Sequence, residues 1–295
     1  MTSDLAHDEQ VLPINGIELC VQTFGDPAAP PLLLIGGSES SMDWWEDEFC
    51  ERLAAGGRHV IRYDTRDTGR STTFPVGRPP YPGDALFDDA IGVLDALGIP
   101  SAHVVGMSAG GGVAQHVVVD HPERVASLTL ISTTPDGPGG ADHPGLPPMS
   151  DELAAKFADG GDELPDWGDR EAVIAYYLGG ERMLAGTIPV DEEAVRRVVG
   201  RAWDRSPNPA SAQNHWQLSA GASIRDRLGE ISVPTLVLHG TADPLLPYPH
   251  GEALAREIPG ARLVPLEGMG HQHPPRQVWD TAIAEILAIS EKPRG

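Results

Sequence analysis

The chain has 295 residues, of which 40% are hydrophobic and 22% are charged, proportions typical of a globular protein with a large buried core. Asp and Glu total 43 against 21 Lys and Arg, which gives a formal net charge of −22. A field of that sign repels phosphate backbones and anionic lipid surfaces, so we expect neither a nucleic acid nor a membrane as partner.

Short apolar runs that do not alternate with polar residues recur along the chain, and they predict strands buried on both faces. A hairpin over 11–25 precedes them, with Asn15-Gly16 as its turn, because both residues tolerate positive φ. The runs lie at residues 31–35, 60–63, 102–105, 128–131, 234–238 and 261–264. Helical periodicity appears at residues 86–97, 110–119, 251–258 and 278–289. Strands that alternate with helices predict an α/β fold with a mostly parallel central sheet.

One stretch, from about Pro135 to Ser223, interrupts this alternation. It starts with a Pro- and Gly-rich segment and contains no convincing buried strand. Helical patterns follow at residues 151–158, 170–178, 191–203 and 210–220. A helical lid inserted after the sixth strand would lie over the carboxyl edge of the sheet, where open α/β folds bind ligands. We therefore divide the chain into a core domain, residues 1–135 and 223–295, and a helical cap, residues 136–222.

The pattern G-x-S-x-G occupies residues 106–110 and has Ser108 at its centre. It follows a predicted strand and opens a predicted helix, which is the setting of a nucleophile elbow. Gly106 and Gly110 are small enough for the strand and the helix to approach each other closely. We predict Ser108 to be a nucleophile; the alternative is a Gly-rich turn with an incidental serine.

A serine hydroxyl needs a base beside it, and the base needs a carboxylate to orient it. Asp243 and His271 each follow the end of a predicted strand, so both can converge with the serine on one edge of the sheet. We predict these two as acid and base. His273 and Asp136 are the competitors for the two roles, whereas His239 is better placed to support the Asp243 loop.

The same chemistry needs donors for an oxyanion and a wall around the substrate. We assign the donors to the backbone N–H groups of Gly37 and Ala109, because backbone that approaches a substrate oxygen tolerates no bulky side chain. Trp44 and Trp45 follow the first of these loops, and Trp216 lies in the cap. We predict that these three tryptophans line the pocket.

Several of these motifs, taken in order, resemble those of the α/β-hydrolase family. The resemblance is carried by residues 36–37, 63–71, 106–110, 240–243 and 268–271. Within the family the chain is most similar to methylesterases that tailor anthracyclines, on segments such as 24–27, 45–49, 59–64, 67–73 and 102–106. The resemblance implies that Ser108, Asp243 and His271 are nucleophile, acid and base, and that the substrate is a bulky, partly aromatic ester.

We therefore expect a serine esterase that acts through an acyl-enzyme on a carboxylic ester of a polyketide or aromatic small molecule. An aminopeptidase of the proline-iminopeptidase type and a C–C bond hydrolase would use the same triad. The aminopeptidase would need acidic groups for the substrate amine, and the cap offers Asp159, Asp162, Glu163, Asp166 and Asp169. A non-catalytic binding protein is a fourth reading, whose usual signature is a broken triad.

The cellular location and the need for a cofactor are predicted from sequence features that we looked for: a signal peptide, a membrane-spanning run and metal-ligand spacing. The N-terminal residues have no basic stretch before an apolar core, so we expect no signal peptide, and no apolar run approaches the roughly 18 residues that span a bilayer. Cys20 and Cys50 have no metal-ligand spacing, so we expect buried thiols. These features predict a soluble, cytoplasmic protein that needs no cofactor and no metal; they leave the oligomeric state open.

Overall fold

The computed structural model describes residues 9–136, 145–159, 163–218 and 222–291. Its strands are β1 (Gln10–Ile14), β2 (Ile17–Phe24), β3 (Pro31–Ile35), β4 (His59–Tyr63), β5 (Ala102–Met107), β6 (Val125–Ile131), β7 (Thr235–Gly240) and β8 (Arg262–Leu266). They form one sheet in the order β1-β2-β4-β3-β5-β6-β7-β8. Strand β2 is antiparallel to both of its neighbours, and β3 to β8 run parallel. The predicted α/β fold with a mostly parallel sheet is confirmed.

The predicted hairpin is present as β1 and β2. Its turn residues Asn15 and Gly16 have φ values of 50° and 79°, the positive values that a tight two-residue hairpin turn requires. Both cysteines are buried, and burial raises the pKa of each thiol to about 12. Neither is therefore a reactive thiolate at neutral pH.

Helices cover both faces of the sheet. In chain order they are α1 (Asp47–Ala55), α2 (Ala85–Ala96), α3 (Ala109–Asp120), α4 (Asp151–Ala158), α5 (Arg170–Leu184), α6 (Glu192–Arg205), α7 (Pro249–Glu257) and α8 (Trp279–Ile289). Helices α2, α3 and α7 contribute to the apolar core on one face, and α1 and α8 contribute to the core on the other. No helix in the described part of the chain is long and apolar enough to cross a membrane.

Helices α4, α5 and α6 lie between β6 and β7, where the sequence predicted the cap. Apolar side chains of α5 and α6 form a separate small core. Side-chain oxygens of Ser150, Asp169 and Asp191 cap the three helices at their first residues, which satisfies N–H groups that lack partners within a helix. The two ends of this insertion are tied together, because the Ile224 N–H donates to Asp136 Oδ1 at 2.7 Å.

Two predicted cap elements differ from the structure. The pattern at 210–220 is a 3-10 helix, Pro209–Gln217, rather than an α-helix; residues 219 and 220 lie outside the described part. Its polar side chains are used in tertiary contacts, since Ser211 Oγ donates to Asp67 O at 2.9 Å and Asn214 Nδ2 donates to Asp67 Oδ2 at 3.1 Å. Ser and Asn side chains that bond elsewhere do not favour a regular α-helix.

The other difference is the length of α5. The pattern predicted a helix over 170–178, whereas α5 continues to Leu184. Gly179 and Gly180 lie within it, and glycine costs about 1 kcal/mol relative to alanine in a helix interior. The packing of α5 against α6 overrides that local preference, and it brings residues 179–184 into the helix.

Candidate active site

Ser108 lies on a strained turn between β5 and α3. Its φ is +51° and its ψ is −118°, a backbone conformation that persists only when its surroundings impose it. A Cβ atom added to Gly106 would lie 2.2 Å from Gly110 O, and one added to Gly110 would lie 2.4 Å from Gly36 O. Both positions therefore require glycine. The Ser108 N–H donates to Ile131 O at 3.0 Å, which ties the turn to the end of β6. The predicted nucleophile-elbow geometry is present.

The structure brings the three predicted catalytic side chains together. His271 Nε2 lies 2.9 Å from Ser108 Oγ, and His271 Nδ1 lies 2.8 Å from Asp243 Oδ2. Asp243 and His271 are 5% and 6% exposed. A carboxylate on Nδ1 fixes the imidazole tautomer that leaves Nε2 free to accept the serine proton.

The loop after β7 fixes the Asp243 carboxylate in turn. Oδ1 of this residue accepts hydrogen bonds from the N–H groups of Leu245 and Leu246, at 2.9 and 2.8 Å. His239 Nε2 lies 2.7 Å from Leu246 O and 3.8 Å from Asp243 Oδ2. Burial lowers the pKa of His239, which favours its neutral form. His239 therefore supports the Asp243 loop, as its sequence position predicted.

The two competing residues are engaged elsewhere. The His273 ring stacks on Trp44, with 5.5 Å between ring centroids, and burial lowers its pKa to about 3, so it is a poor base at neutral pH. Asp136 Oδ1 accepts the Ile224 N–H and lies 3.7 Å from His116 Nε2. Among the described residues, His271 is the imidazole hydrogen-bonded to Ser108.

The predicted oxyanion donors flank the serine. A Cβ atom built at Gly37 would lie 3.5 Å from the Ser108 Cβ, so the backbone after β3 passes directly beside the hydroxyl. Ala109 is the first residue of α3, and the N–H groups of a helix's first turn have no partner within the helix. The structure thus places both backbone segments next to Ser108, where the sequence predicted the oxyanion donors.

A cavity of about 1090 Å³ opens over Ser108 and His271. Pockets for drug-sized ligands usually measure about 300–1,000 Å³, so this one has room for a bulky molecule. Core and cap both contribute apolar walls. Among these apolar residues are Leu86, Phe87, Val113, Met149, Phe157, Leu184, Leu218 and Leu246. The acidic residues on its described lining are Asp136 and Glu181, and that lining includes no Lys or Arg.

The three predicted pocket tryptophans divide into two groups. Trp216 lines the large cavity and is 60% exposed. Trp44 and Trp45 do not line it, in contrast to the prediction; Trp44 borders two smaller cavities of about 40 and 70 Å³, and Trp45 packs against Phe49. Trp44 packs against the small core of α5 and α6, whereas Trp45 is buried in the core to which α1 and α8 contribute on one face of the sheet.

Glu39 is a site residue that sequence reasoning missed. It follows the predicted oxyanion loop and has a φ of +61°, which is uncommon for a residue with a side chain. Its carboxylate accepts hydrogen bonds from Tyr177 Oη, at 3.0 Å, and from Trp216 Nε1. Its N–H donates to His215 Nδ1 at 2.9 Å, and His215 Nε2 donates to Arg66 O at 2.8 Å. Glu39 therefore fastens the loop beside Ser108 to the cap.

Burial raises the pKa of Glu39 to about 7, and the hydrogen bond from Tyr177 opposes that shift. Because the folded-state pKa lies above the unfolded value of 4.5, the neutral carboxyl stabilises the fold below about pH 4.5, and this contribution is lost as the pH rises through 7. We expect the melting temperature of Glu39→Gln to fall less than that of the wild type between pH 5 and pH 8. Parallel curves for the two proteins would contradict this; the exposed Glu123→Gln is the matched control.

The comparisons with known proteins agree with this architecture. Residues 30–272 match the family described as the alpha/beta hydrolase fold. The chain belongs to the α/β-hydrolase family. It is 38% identical over 268 residues to rhodomycin D methylesterase DauP of Streptomyces sp. (strain C5), covering 88% of this chain and 90% of that protein. Rhodomycin D methylesterase DnrP of Streptomyces peucetius is 36% identical with the same coverage. The similarity to methylesterases inferred from the motifs is confirmed.

Solved structures show the same fold at lower sequence identity. The esterase RhEst1 from Rhodococcus sp. ECU1013 superimposes with a TM-score of 0.74 at 22% identity, covering 96% of this chain and 99% of that one. At this identity the likeness concerns the fold alone. It supports the assignment of the fold.

Proposed function

We propose that the protein is a serine esterase that hydrolyses a carboxylic ester of a bulky aromatic or polyketide small molecule, with a methyl ester as the favoured group. At the level of reaction class it is a carboxylic ester hydrolase of the α/β-hydrolase family, like the two methylesterases that it resembles over 88% of its length. The observation that carries the proposed mechanism is the hydrogen-bonded series Ser108–His271–Asp243 at the floor of the large cavity.

The reaction proceeds in two halves. His271 Nε2 takes the proton of Ser108 Oγ as this oxygen attacks the ester carbonyl carbon, and Asp243 stabilises the imidazolium that forms. The N–H groups of Gly37 and Ala109 donate to the oxyanion. The alcohol leaves with the proton from His271 and an acyl-enzyme remains. Water, deprotonated by His271, attacks the acyl carbon and releases the acid together with Ser108.

The size and lining of the cavity support a large, uncharged or cationic substrate. Its volume of about 1090 Å³ exceeds what a small acetyl ester fills. The described lining is largely apolar and carries two acidic side chains, five histidines and no Lys or Arg. An anionic substrate, such as the dienoate of a C–C bond hydrolase, would find no Lys or Arg on the described lining to balance its carboxylate.

A panel of esters tests the substrate proposal. We expect the wild-type protein to release methanol from methyl esters of fused-ring aromatic acids with a higher kcat/KM than it shows for p-nitrophenyl acetate. Methanol is measured with a coupled oxidase assay, and each substrate is repeated with Ser108→Ala to correct for background hydrolysis. Activity confined to small acetates would contradict a bulky substrate.

An aminopeptidase using the same triad is the second candidate, because Glu181 on α5 of the cap lines the cavity. The cap residues proposed for that role from sequence are placed elsewhere. Asp166 and Asp169 accept local backbone N–H groups, and neither they nor Asp159 and Glu163 line the cavity; Asp162 lies outside the described residues. Faster cleavage of prolyl-p-nitroanilide than of p-nitrophenyl esters would favour the aminopeptidase.

A further inference from the structure

The backbone of the predicted catalytic base, His271, is bonded to the cap. Its N–H group donates to Leu184 O at 2.8 Å, and Leu184 is the last residue of α5. The last four carbonyl groups of a helix have no partner within that helix. The loop that carries the base therefore supplies a donor to the end of a cap helix, and the two are joined directly.

The residues after α5 continue along the same loop, residues 267–271, which we call the histidine loop. The N–H groups of Thr187 and Ile188 both donate to Gly268 O, at 2.8 and 3.1 Å. The Ile188 side chain packs against the apolar core that includes Met269. Residues 184–188, which we call the α5 junction, thus contact the histidine loop both before and after Met269.

Two glycines allow the junction and the loop to approach closely. A Cβ atom added to Gly186 would lie 2.4 Å from Gly268 O and 2.8 Å from Gly270 N. One added to Gly270 would lie 2.1 Å from Leu184 O. Neither Gly186 nor Gly270 has a positive φ, so both are needed for space rather than for an unusual backbone conformation. The backbone of the cap and the backbone of the histidine loop are therefore in direct contact.

The same helix also contacts the predicted oxyanion loop. Tyr177 Oη donates to Glu39 Oε2 at 3.0 Å, and Glu39 follows the predicted oxyanion donor Gly37 by two residues. Tyr177 lies seven residues before Leu184, which is about 10 Å along a helix axis. Helix α5 is thus anchored to two loops of the catalytic centre, and its end provides a fixed support for His271.

From these contacts we propose that the α5 junction positions the catalytic base and that Gly186 is the residue on which this positioning depends. The proposal rests on the proposed function, since it gives the cap a part in the geometry of the triad. A Cβ atom at position 186 pushes the junction and the histidine loop apart. This moves His271 Nε2 away from its 2.9 Å contact with Ser108 Oγ. A displacement of about 1 Å can cost a catalytic group about a hundredfold in rate.

The test compares two glycine-to-alanine changes in the same part of the cap. We expect Gly186→Ala to lower kcat for a p-nitrophenyl ester by at least about tenfold and to leave KM nearly unchanged. Such a split marks an interaction that is lost in the chemical step rather than in binding. Gly179→Ala is the matched control, because a Cβ atom added within α5 at this position meets no atom within 4 Å. It should leave both constants unchanged.

Two further measurements report on the triad without an ester substrate. A small fluorophosphonate reacts with Ser108 at a rate that depends on activation by His271. The labelling rate should therefore fall with kcat in Gly186→Ala and stay at the wild-type value in Gly179→Ala. The proton shared by His271 Nδ1 and Asp243 gives a downfield NMR signal, which should shift or disappear in Gly186→Ala alone. A loss of stability without displacement of the base would lower the melting temperature and leave both readouts unchanged.

Each outcome decides between the two proposals. Wild-type kcat, labelling rate and NMR signal in Gly186→Ala, or an equal loss of kcat in Gly179→Ala, overturns the positioning role while wild-type hydrolysis still supports the esterase. Ester hydrolysis that persists in Ser108→Ala contradicts the proposed function itself.

A second variant serves if Gly186→Ala does not fold. Ala185→Gly adds no atom and loosens the backbone between Leu184 and Gly186, because glycine has more conformational freedom than alanine. We expect it to lower kcat and the labelling rate together. Wild-type values of both would then overturn the positioning role.

Discussion

We expect Ser108→Ala to fold as the wild type does and to lose at least about 10³-fold in kcat/KM toward every ester, because the members of a triad act as a unit. The substitution removes the oxygen that attacks the substrate and leaves His271 bonded to Asp243. The turn itself is fixed by backbone contacts, including the 3.0 Å hydrogen bond from Ser108 N to Ile131 O. These contacts do not need the hydroxyl, so the melting temperature should stay close to that of the wild type.

The control for this variant is Ser101→Ala. Ser101 precedes β5 and Ser108 follows it, so the two variants make the same change at opposite ends of one strand. Ser101→Ala should keep full activity. A fluorophosphonate probe should label the wild type and Ser101→Ala and should not label Ser108→Ala. Substantial esterase activity in folded Ser108→Ala would exclude the acyl-enzyme mechanism.

We expect Arg205→Met to destabilise the protein by about 3 kcal/mol, the range found when one partner of a buried ion pair is removed. Arg205 at the end of α6 is 10% exposed, and its guanidinium contacts Glu9 at 2.8 Å, Asp43 at 2.5 Å and Asp64 at 2.7 Å. Asp43 and Asp64 have side chains that are 1% and 0% exposed. Methionine keeps most of the stem but leaves these carboxylates without their shared cation.

Urea unfolding of two further variants separates the loss of the buried ion pairs from the effect of replacing any arginine by methionine. Arg227 contacts Asp120 and Glu230 on the surface and is 43% exposed, so Arg227→Met should destabilise the protein far less than Arg205→Met does. Arg205→Lys keeps the charge but lacks the planar fork, and it should fall between wild type and Arg205→Met. Equal stabilities of Arg205→Met and Arg227→Met would show that the buried cluster does not hold the cap to the core.

The sequence predicted that Ser108, Asp243 and His271 would meet, because the signals for their positions are local. Each lies a few residues after the end of a short apolar run, and parallel strands bring their carboxyl ends to one edge of a sheet. The need for glycine at 106 and 110 could also be predicted from the sequence, because the close approach of strand and helix leaves no room for a Cβ atom. For these residues the pattern around each position was sufficient to predict its place.

The remaining site residues depend on packing that no local pattern encodes. Trp44 and Trp45 were expected in the pocket, yet Trp44 packs against the small core of α5 and α6 and Trp45 is buried in the core on one face of the sheet. The helix predicted over 170–178 ends before Glu181, so the pattern did not place this residue beside the cavity. Its position on the cavity lining follows from the tertiary packing that carries α5 to Leu184.

The 2.7 Å contact between Ile224 N and Asp136 Oδ1 has a practical consequence for redesign. The first residue of the insertion thus bonds to a residue just beyond its end, and Gln115 Oε1 accepts the Asp136 N–H at 2.9 Å. A transplanted segment of another length would therefore join the core at the same two positions. Chimaeras joined at these positions that keep the α5 junction offer a route to new selectivity with unchanged chemistry.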